Sequence, residues 1–125
     1  FNAAIPWRSL VASMVLLDSH DTARMRTVVL GDKASHLSAM AMMLTYPGVP
    51  SIFAGDEIGL EGAWGEDSRR TINLDDRSQW DLEFFEDIKK LVELRRNRDS
   101  LINGGLRWLA VEADYVAYLR ESTKE

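Results

Sequence analysis

Apolar residues are spaced in two ways along the chain, and the change from one spacing to the other divides it into elements. Pro6 suits the first turn of a short helix, where its missing N–H is not needed, and Trp7, Leu10 and Val11 follow at i, i+3 and i+4. From Ser13 the spacing closes up into Met14-Val15-Leu16-Leu17, the pattern of a parallel strand buried on both faces. A loop over Thr22–Gly31 comes next, with an extended piece expected at Thr27–Leu30. Asp32 then caps a helix over Lys33–Thr45 that stops before Pro47-Gly48. Leu37, Met40, Ala41 and Leu44 form one face, while Ala34, Ala39, Met42 and Met43 fill most of the rest, so this helix is expected to be buried on nearly all sides. Its methionines read as core filler.

A second short buried strand is predicted over Ser51–Ala54, which completes the order of a right-handed parallel βαβ unit. The loop Gly59–Gln79 is longer than compact domains use without purpose and is a candidate lid or binding loop. Ser78 with Asp81 resembles a capping box, and Leu82, Phe85, Ile88, Leu91 and Val92 supply the buried stripe of the following helix. Acids gather at its start and bases at its end, matching the macrodipole. Asn103-Gly104-Gly105 ends it, and Leu106–Val111 and Tyr115–Arg120 read as two strands about a turn at Glu112-Ala113-Asp114. A hairpin alone is only marginally stable, so Gly104 marks a candidate domain boundary.

Composition narrows the partners more than the fold. Hydrophobic residues make up 46% and charged residues 28% of 125 residues, close to the average for globular proteins and enough for one core. The net charge is −5 and the basic residues are dispersed, so nucleic acid and anionic membrane are set aside as partners. No apolar run approaches the ~18 residues of a membrane span, and a soluble protein is expected. Absence of cysteine excludes disulfides and thiolate metal sites and fits either redox compartment, with the cytoplasm slightly favoured. The chain opens at Phe1 and closes just after a strand-like run, so a fragment of a longer protein is expected, and the lack of a signal peptide carries little weight.

Chemistry is concentrated where the two apolar runs stop. His20 and Asp21 follow the first strand, Asp56 and Glu57 follow the second, and parallel neighbours only ~4.8 Å apart would let Asp21 and Asp56 meet through one substrate. Paired carboxylates suit general acid and base work or the binding of sugar hydroxyls. In the plainer alternative, His20 and Asp21 cap a loop while Asp56 and Glu57 pair with Arg69 or Arg70. Arg24 is expected on the same rim, either holding Asp21 ionised or closing a surface ion pair. Trp64 in the long loop either stacks on a sugar or packs. The four groups match no recognised metal-ligand spacing, and no metal is assigned.

Taken together, these residues resemble the α-amylase family of retaining glycoside hydrolases (glycoside hydrolase family 13). Ser19-His20-Asp21-Thr22 with Arg24 looks like the family's fourth conserved segment. Tyr46-Pro47-Gly48-Val49-Pro50-Ser51-Ile52-Phe53-Ala54-Gly55-Asp56-Glu57-Ile58-Gly59 is similar to its eighth-strand segment, and the likeness continues through Arg69-Arg70-Thr71-Ile72 and Leu94–Leu101. The resemblance implies an α/β fold: residues 1–103 as the last two βα units of a (β/α)8 TIM barrel, and residues 104–125 as the first strands of a truncated C-terminal β-sandwich. It implies an α-glucan oligosaccharide as substrate and the missing N-terminal part of the same chain as partner. No cofactor is expected in this stretch, and the structural calcium of some members would belong to that missing part.

Family mechanism uses an Asp nucleophile and a Glu acid/base on earlier strands, and a third Asp after the seventh. Only the third has a match, Asp21, which the resemblance makes the transition-state stabiliser. His20, Arg24, Asp56 and Glu57 are assigned to substrate binding, Arg24 more loosely as a site-organising residue. Two departures stand out: Ser19 where many members have Asn, and Asn73-Leu74 where Pro-Trp commonly precedes Asp75. The implied activity is retaining cleavage of α-glucosidic bonds, with this stretch inactive alone. A non-catalytic sugar-binding or interaction protein on the same barrel, and an independent α/β domain with an unrelated partner, are the alternatives.

Overall fold

The structure, a computed structural model, describes residues 5–125. Helix α1 (Trp7–Val11) leads into strand β1 (Met14–Val15), and β2 (Val49–Pro50) lies parallel to it with Met14 opposite Val49 and Val15 opposite Pro50. The N–H groups of Val49 and Ser51 donate to the carbonyls of Ser13 and Val15 at 2.9 and 2.8 Å, on either side of Pro50, which has none to give. Both strands are shorter than expected. The second is paired at Val49–Pro50, ahead of the predicted Ser51–Ala54, because a ladder needs a neighbour and β1 offers one only as far as Val15. Gly48, at φ +125°, allows the approach, since a Cβ there would sit 2.6 Å from the Val15 side chain.

Helix α3 (Lys33–Thr45) begins as expected, with the Asp32 carboxylate accepting from Ser35 N–H at 2.9 Å. Its burial is one-sided, contrary to the apolar composition: His36, Met40, Met43 and Leu44 face inward, while Ala34 and Met42 are exposed. The segment before α3 differs from expectation as well. Thr27–Leu30 is not extended; Met25–Val28 forms a short helix, α2, ending at Leu30 in a left-handed turn (φ 55°).

Helix α4 (Leu82–Asn97) is capped by Asp81, whose carboxylate accepts from Phe84 N–H at 3.1 Å; Ser78 belongs to a separate single turn. That cap turns Phe84 and Ile88 into the core and leaves Leu82 exposed, shifting the predicted stripe. Met40, Met43, Leu44, Phe84 and Ile88 make the core, with Val15, Leu17, Ile52 and Val92 packed against it. A break at Arg98 separates α4 from a further short helix, α5 (Asp99–Asn103).

The last four carbonyls of a helix have no partner within it. Two arginines from later in the chain supply partners at the end of α3: Arg95 donates to the carbonyls of Leu44 (2.8 Å), Tyr46 (3.1 Å) and Gly48 (2.6 Å), and Arg120 to that of Thr45. Arg120 lies in the antiparallel hairpin of β3 (Gly105–Val111) and β4 (Val116–Glu121), whose ladder is irregular between Trp108 and Ala110. Tyr118 of the hairpin bonds the Thr45 hydroxyl and meets Trp108 edge-on at 5.4 Å.

Candidate functional site

Beyond Leu17 the chain turns sharply. Thr22 N–H donates to Ser19 O at 3.2 Å and the Thr22 hydroxyl accepts from Ser19 N–H at 2.9 Å, which leaves His20 and Asp21 at the tip. Their side chains are 64% and 72% exposed, with His20 Nε2 3.2 Å from the Asp21 carboxylate. These two sequence-assigned residues therefore stand on an open surface, side by side.

Arg24 does not reach Asp21. It runs inward, 1% exposed, and its Nη1 donates to Asp56 Oδ1 at 2.8 Å, Nη2 to Ala54 O at 2.9 Å and Nε to Ser68 O at 2.8 Å, with the guanidinium 4.2 Å over the Phe53 ring. Asp56 is likewise enclosed, at 2%. Neither presents surface to a sugar, so direct substrate contact by Arg24 and Asp56 gives way to support from beneath. The alternative pairing fails too: Arg70 bonds Asp67 at 2.8 and 2.9 Å, and Glu57, half-buried, accepts from Gly55 N–H at 2.7 Å.

The long loop is fastened to this turn rather than free. Arg24 N–H donates to Gly62 O at 2.9 Å, Gly62 N–H to the Thr27 hydroxyl at 2.8 Å, and the Ser68 hydroxyl lies 3.1 Å from His20 O and 2.7 Å from Gly65 O. A Cβ at Gly62 would stand 2.6 Å from Asp67 O, so the loop closes on itself there. On it Trp64 is 73% exposed, with little packing from the described residues.

Behind the turn lies a buried polar layer that apolar periodicity did not reveal. Asp18 is 4% exposed; its Oδ2 accepts from Met25 N–H at 2.6 Å, which caps α2, and its Oδ1 has no partner among the described residues. Arg26 donates to His36 Nδ1 and to Asp81, both at 3.2 Å, and lies 4.6 Å over Phe84. Burial, aided by Arg26, pushes the His36 pKa down to about 4. Burial and the neighbouring Asp18 carboxyl push Asp56 up to about 8, against the pull of Arg24. The only sequence signal for Asp18 was an acid placed directly after Val15-Leu16-Leu17. Among the described residues no three His, Asp or Glu side chains converge as a metal site would require, and no helix is long and apolar enough to cross a membrane.

Known proteins are similar to this chain. A model of the alpha amylase catalytic domain matches residues 4–70. Neopullulanase 2 of Thermoactinomyces vulgaris is 40% identical over 107 residues, covering 84% of this chain and 18% of that protein. A Bacillus cyclomaltodextrinase is 34% identical over 125 residues, covering 98% of this chain and 22% of the relative. Among solved structures, a cyclomaltodextrinase superposes with a TM-score of 0.87 at 34% identity, over 94% of this chain and 20% of its own. The native debranching enzyme of Nostoc punctiforme does so with 0.85 at 36%, over 94% and 24%. The chain thus spans about a fifth of the length of the curated relatives it matches. The structural neighbours are barrel enzymes and the described residues form a small α/β unit that superposes on part of them. With more than half its length matched by the catalytic-domain model, the chain belongs to the α-amylase family.

Proposed function

We propose that this chain is part of a retaining glycoside hydrolase acting on α-glucosidic bonds of maltooligosaccharides and related α-glucans. The observation that carries the reading is the exposed His20–Asp21 pair, 3.2 Å apart, on a turn fastened from below by Arg24 and Ser68. A carboxylate and an imidazole held in fixed positions suit the hydroxyls of a sugar ring and gain strength as positive charge develops on that ring. Asp21 is the transition-state stabiliser and His20 its partner on the same sugar. Glu57 stands at the second strand end as a further, outer contact. The nucleophile and the acid/base come from the remainder of a longer chain, so residues 1–125 alone do not turn over substrate.

Residues 1–103 serve as the last βα units of the barrel and residues 104–125 as the opening strands of a C-terminal β domain. The apolar surfaces of Met14, Leu16 and Val49, exposed along the paired strands, support a barrel neighbour on either side.

The full-length protein should be assayed on maltooligosaccharides, cyclic maltodextrin and pullulan, with the anomer of the first product followed by NMR. Release of the α-anomer, lost in Asp21→Asn, is the expected result. Turnover with inversion, or an Asp21→Asn variant of normal rate, would sink the assignment.

A further inference from the structure

Two carboxyls, Asp18 at 4% exposure and Asp56 at 2%, lie within hydrogen-bonding reach of each other beneath the His20–Asp21 turn, and among the described residues the one cation bonded to either is Arg24, on Asp56 at 2.8 Å. Two buried negative charges against one positive leave an excess that a low-dielectric interior does not tolerate. Asp18 Oδ1, moreover, is buried without a partner among the described residues, although its other oxygen is bonded.

We propose that Asp56 carries a proton at neutral pH and donates it to Oδ1 of Asp18, so that the two carboxyls hold a single negative charge against Arg24 and keep the sugar-contacting turn in place. Asp18 and Asp56 are then positioning residues. The arrangement costs none of the bonds already present: Asp56 Oδ1 still accepts from Arg24 at 2.8 Å, Asp18 Oδ2 still caps α2 through Met25 N–H, and Asp18 Oδ1 gains the bond it lacks, while His36 Nε2, the other buried atom without a partner among the described residues, is left as it was.

The other charged groups nearby are engaged elsewhere. From α3, the His36 ring stays neutral, with Arg26 bonded to its Nδ1 and its Nε2 buried without a partner among the described residues. Arg26 also pairs with Asp81, and Lys33 with Asp81 and Glu83. Glu57, beside Asp56, turns its carboxylate to Gly55 N–H. From the long loop, Ser68 brings a carbonyl and a hydroxyl, and the Asp67–Arg70 pair is exposed.

Burial first and Asp18 second push the Asp56 pKa from 3.8 to about 8. The folded protein therefore retains a proton that the unfolded chain releases above about 4. The stability that this proton provides is full below that value and is lost as pH rises through about 8.

The test uses the full-length protein and two readouts that do not depend on glycosidase activity. An infrared difference spectrum across about pH 8 should show the carbonyl band of a buried carboxylic acid disappearing as pH rises, and that band should be missing in both Asp56→Asn and Asp18→Asn. Asp56→Asn keeps an acceptor for Arg24 and sets an N–H toward Asp18, imitating the protonated acid. Its melting temperature should lose the decline with pH seen in the parent between about 4 and about 8, and the alkaline limb of kcat should move up by about one pH unit or more. A parent protein without the acid band, or an Asp56→Asn variant with an unaltered pH slope, overturns the proposal. Should Asp56→Asn fail to fold, the parent spectrum and Asp18→Asn decide the same question. The effect on kcat rests on the function proposed above, whereas the band and the melting slope do not, so the two readings fail separately.

Discussion

The hydroxyl of Ser68 lies 3.1 Å from the carbonyl oxygen of His20, 48 residues earlier in the chain, and the residue is wholly buried. It joins the long loop to the turn that presents His20 and Asp21. Ser68→Ala removes that hydroxyl while leaving the carbonyl that Arg24 holds. A stability loss of about 1 kcal/mol is expected. Displacement of the turn should lower kcat of the full-length enzyme by up to about 100-fold. Steady-state kinetics beside a denaturant titration check both, and an unchanged kcat would show that the tie is dispensable to the turn.

Asp21 makes only a surface contact with His20 and is 72% exposed on its side chain. Asp21→Asn should therefore leave stability within about 0.5 kcal/mol, yet reduce kcat by at least about 10²–10³-fold. Thermal melting and initial rates on a maltooligosaccharide measure the two effects side by side.

Arg24 makes three hydrogen bonds in different directions from one planar fork. Lysine supplies one point charge and cannot occupy all three. Arg24→Lys leaves at least two buried acceptors without a donor and should destabilise the protein by about 2–5 kcal/mol, at about 1–3 kcal/mol for each. Urea unfolding of the full-length protein measures it; a loss below 1 kcal/mol would mean that the guanidinium bonds are replaceable.

His36 has a pKa pushed from 6.5 down to about 4, chiefly by burial. Its neutral form is favoured in the folded state, so the associated stability is present above about 6.5 and disappears as pH falls through about 4. His36→Asn keeps an acceptor for Arg26 and removes the titration. Melting temperatures across that window should fall less steeply in the variant than in the parent.

Trp64 stands 73% exposed on the fastened loop. Trp64→Ala should leave stability within about 0.5 kcal/mol. If the indole stacks on an outer sugar, worth roughly 1 kcal/mol, KM for longer α-glucans rises about fivefold while maltose-sized substrates are unaffected.

Elements set by neighbours in sequence were readable in advance. The Asp32 cap and the apolar spacing of Lys33–Thr45 placed α3 correctly, and the turn at Glu112-Ala113-Asp114 placed the hairpin to within a residue. Thr27-Val28-Val29-Leu30 read as extended because β-branched residues favour strands, but Asp18, seven residues upstream of Met25, caps a helix there instead. Likewise the end of an apolar run pointed to His20 and Asp21, which the structure places on an exposed turn. The true partner of Arg24 was not, since Asp56 lies 32 residues away and Ser68 lies 44 away. Local pattern locates the exposed residues of a turn; the buried groups that hold them are chosen by long-range closure, which spacing does not encode.

The arginines at the end of α3 bear on the order in which the chain assembles. Arg95 reaches carbonyls 47 to 51 residues before it, and Arg120 one 75 residues before it. During synthesis the helix thus emerges with the Leu44 and Thr45 carbonyls bound only to water, and its last turn is completed in two late steps separated by the length of α5 and β3. Contacts of such separation close slowly because the loop entropy must be overcome before they form. The first strand pair and α3 therefore spend the interval as a nascent, frayed unit, and arrival of β4 is the event that locks the end of α3 in place.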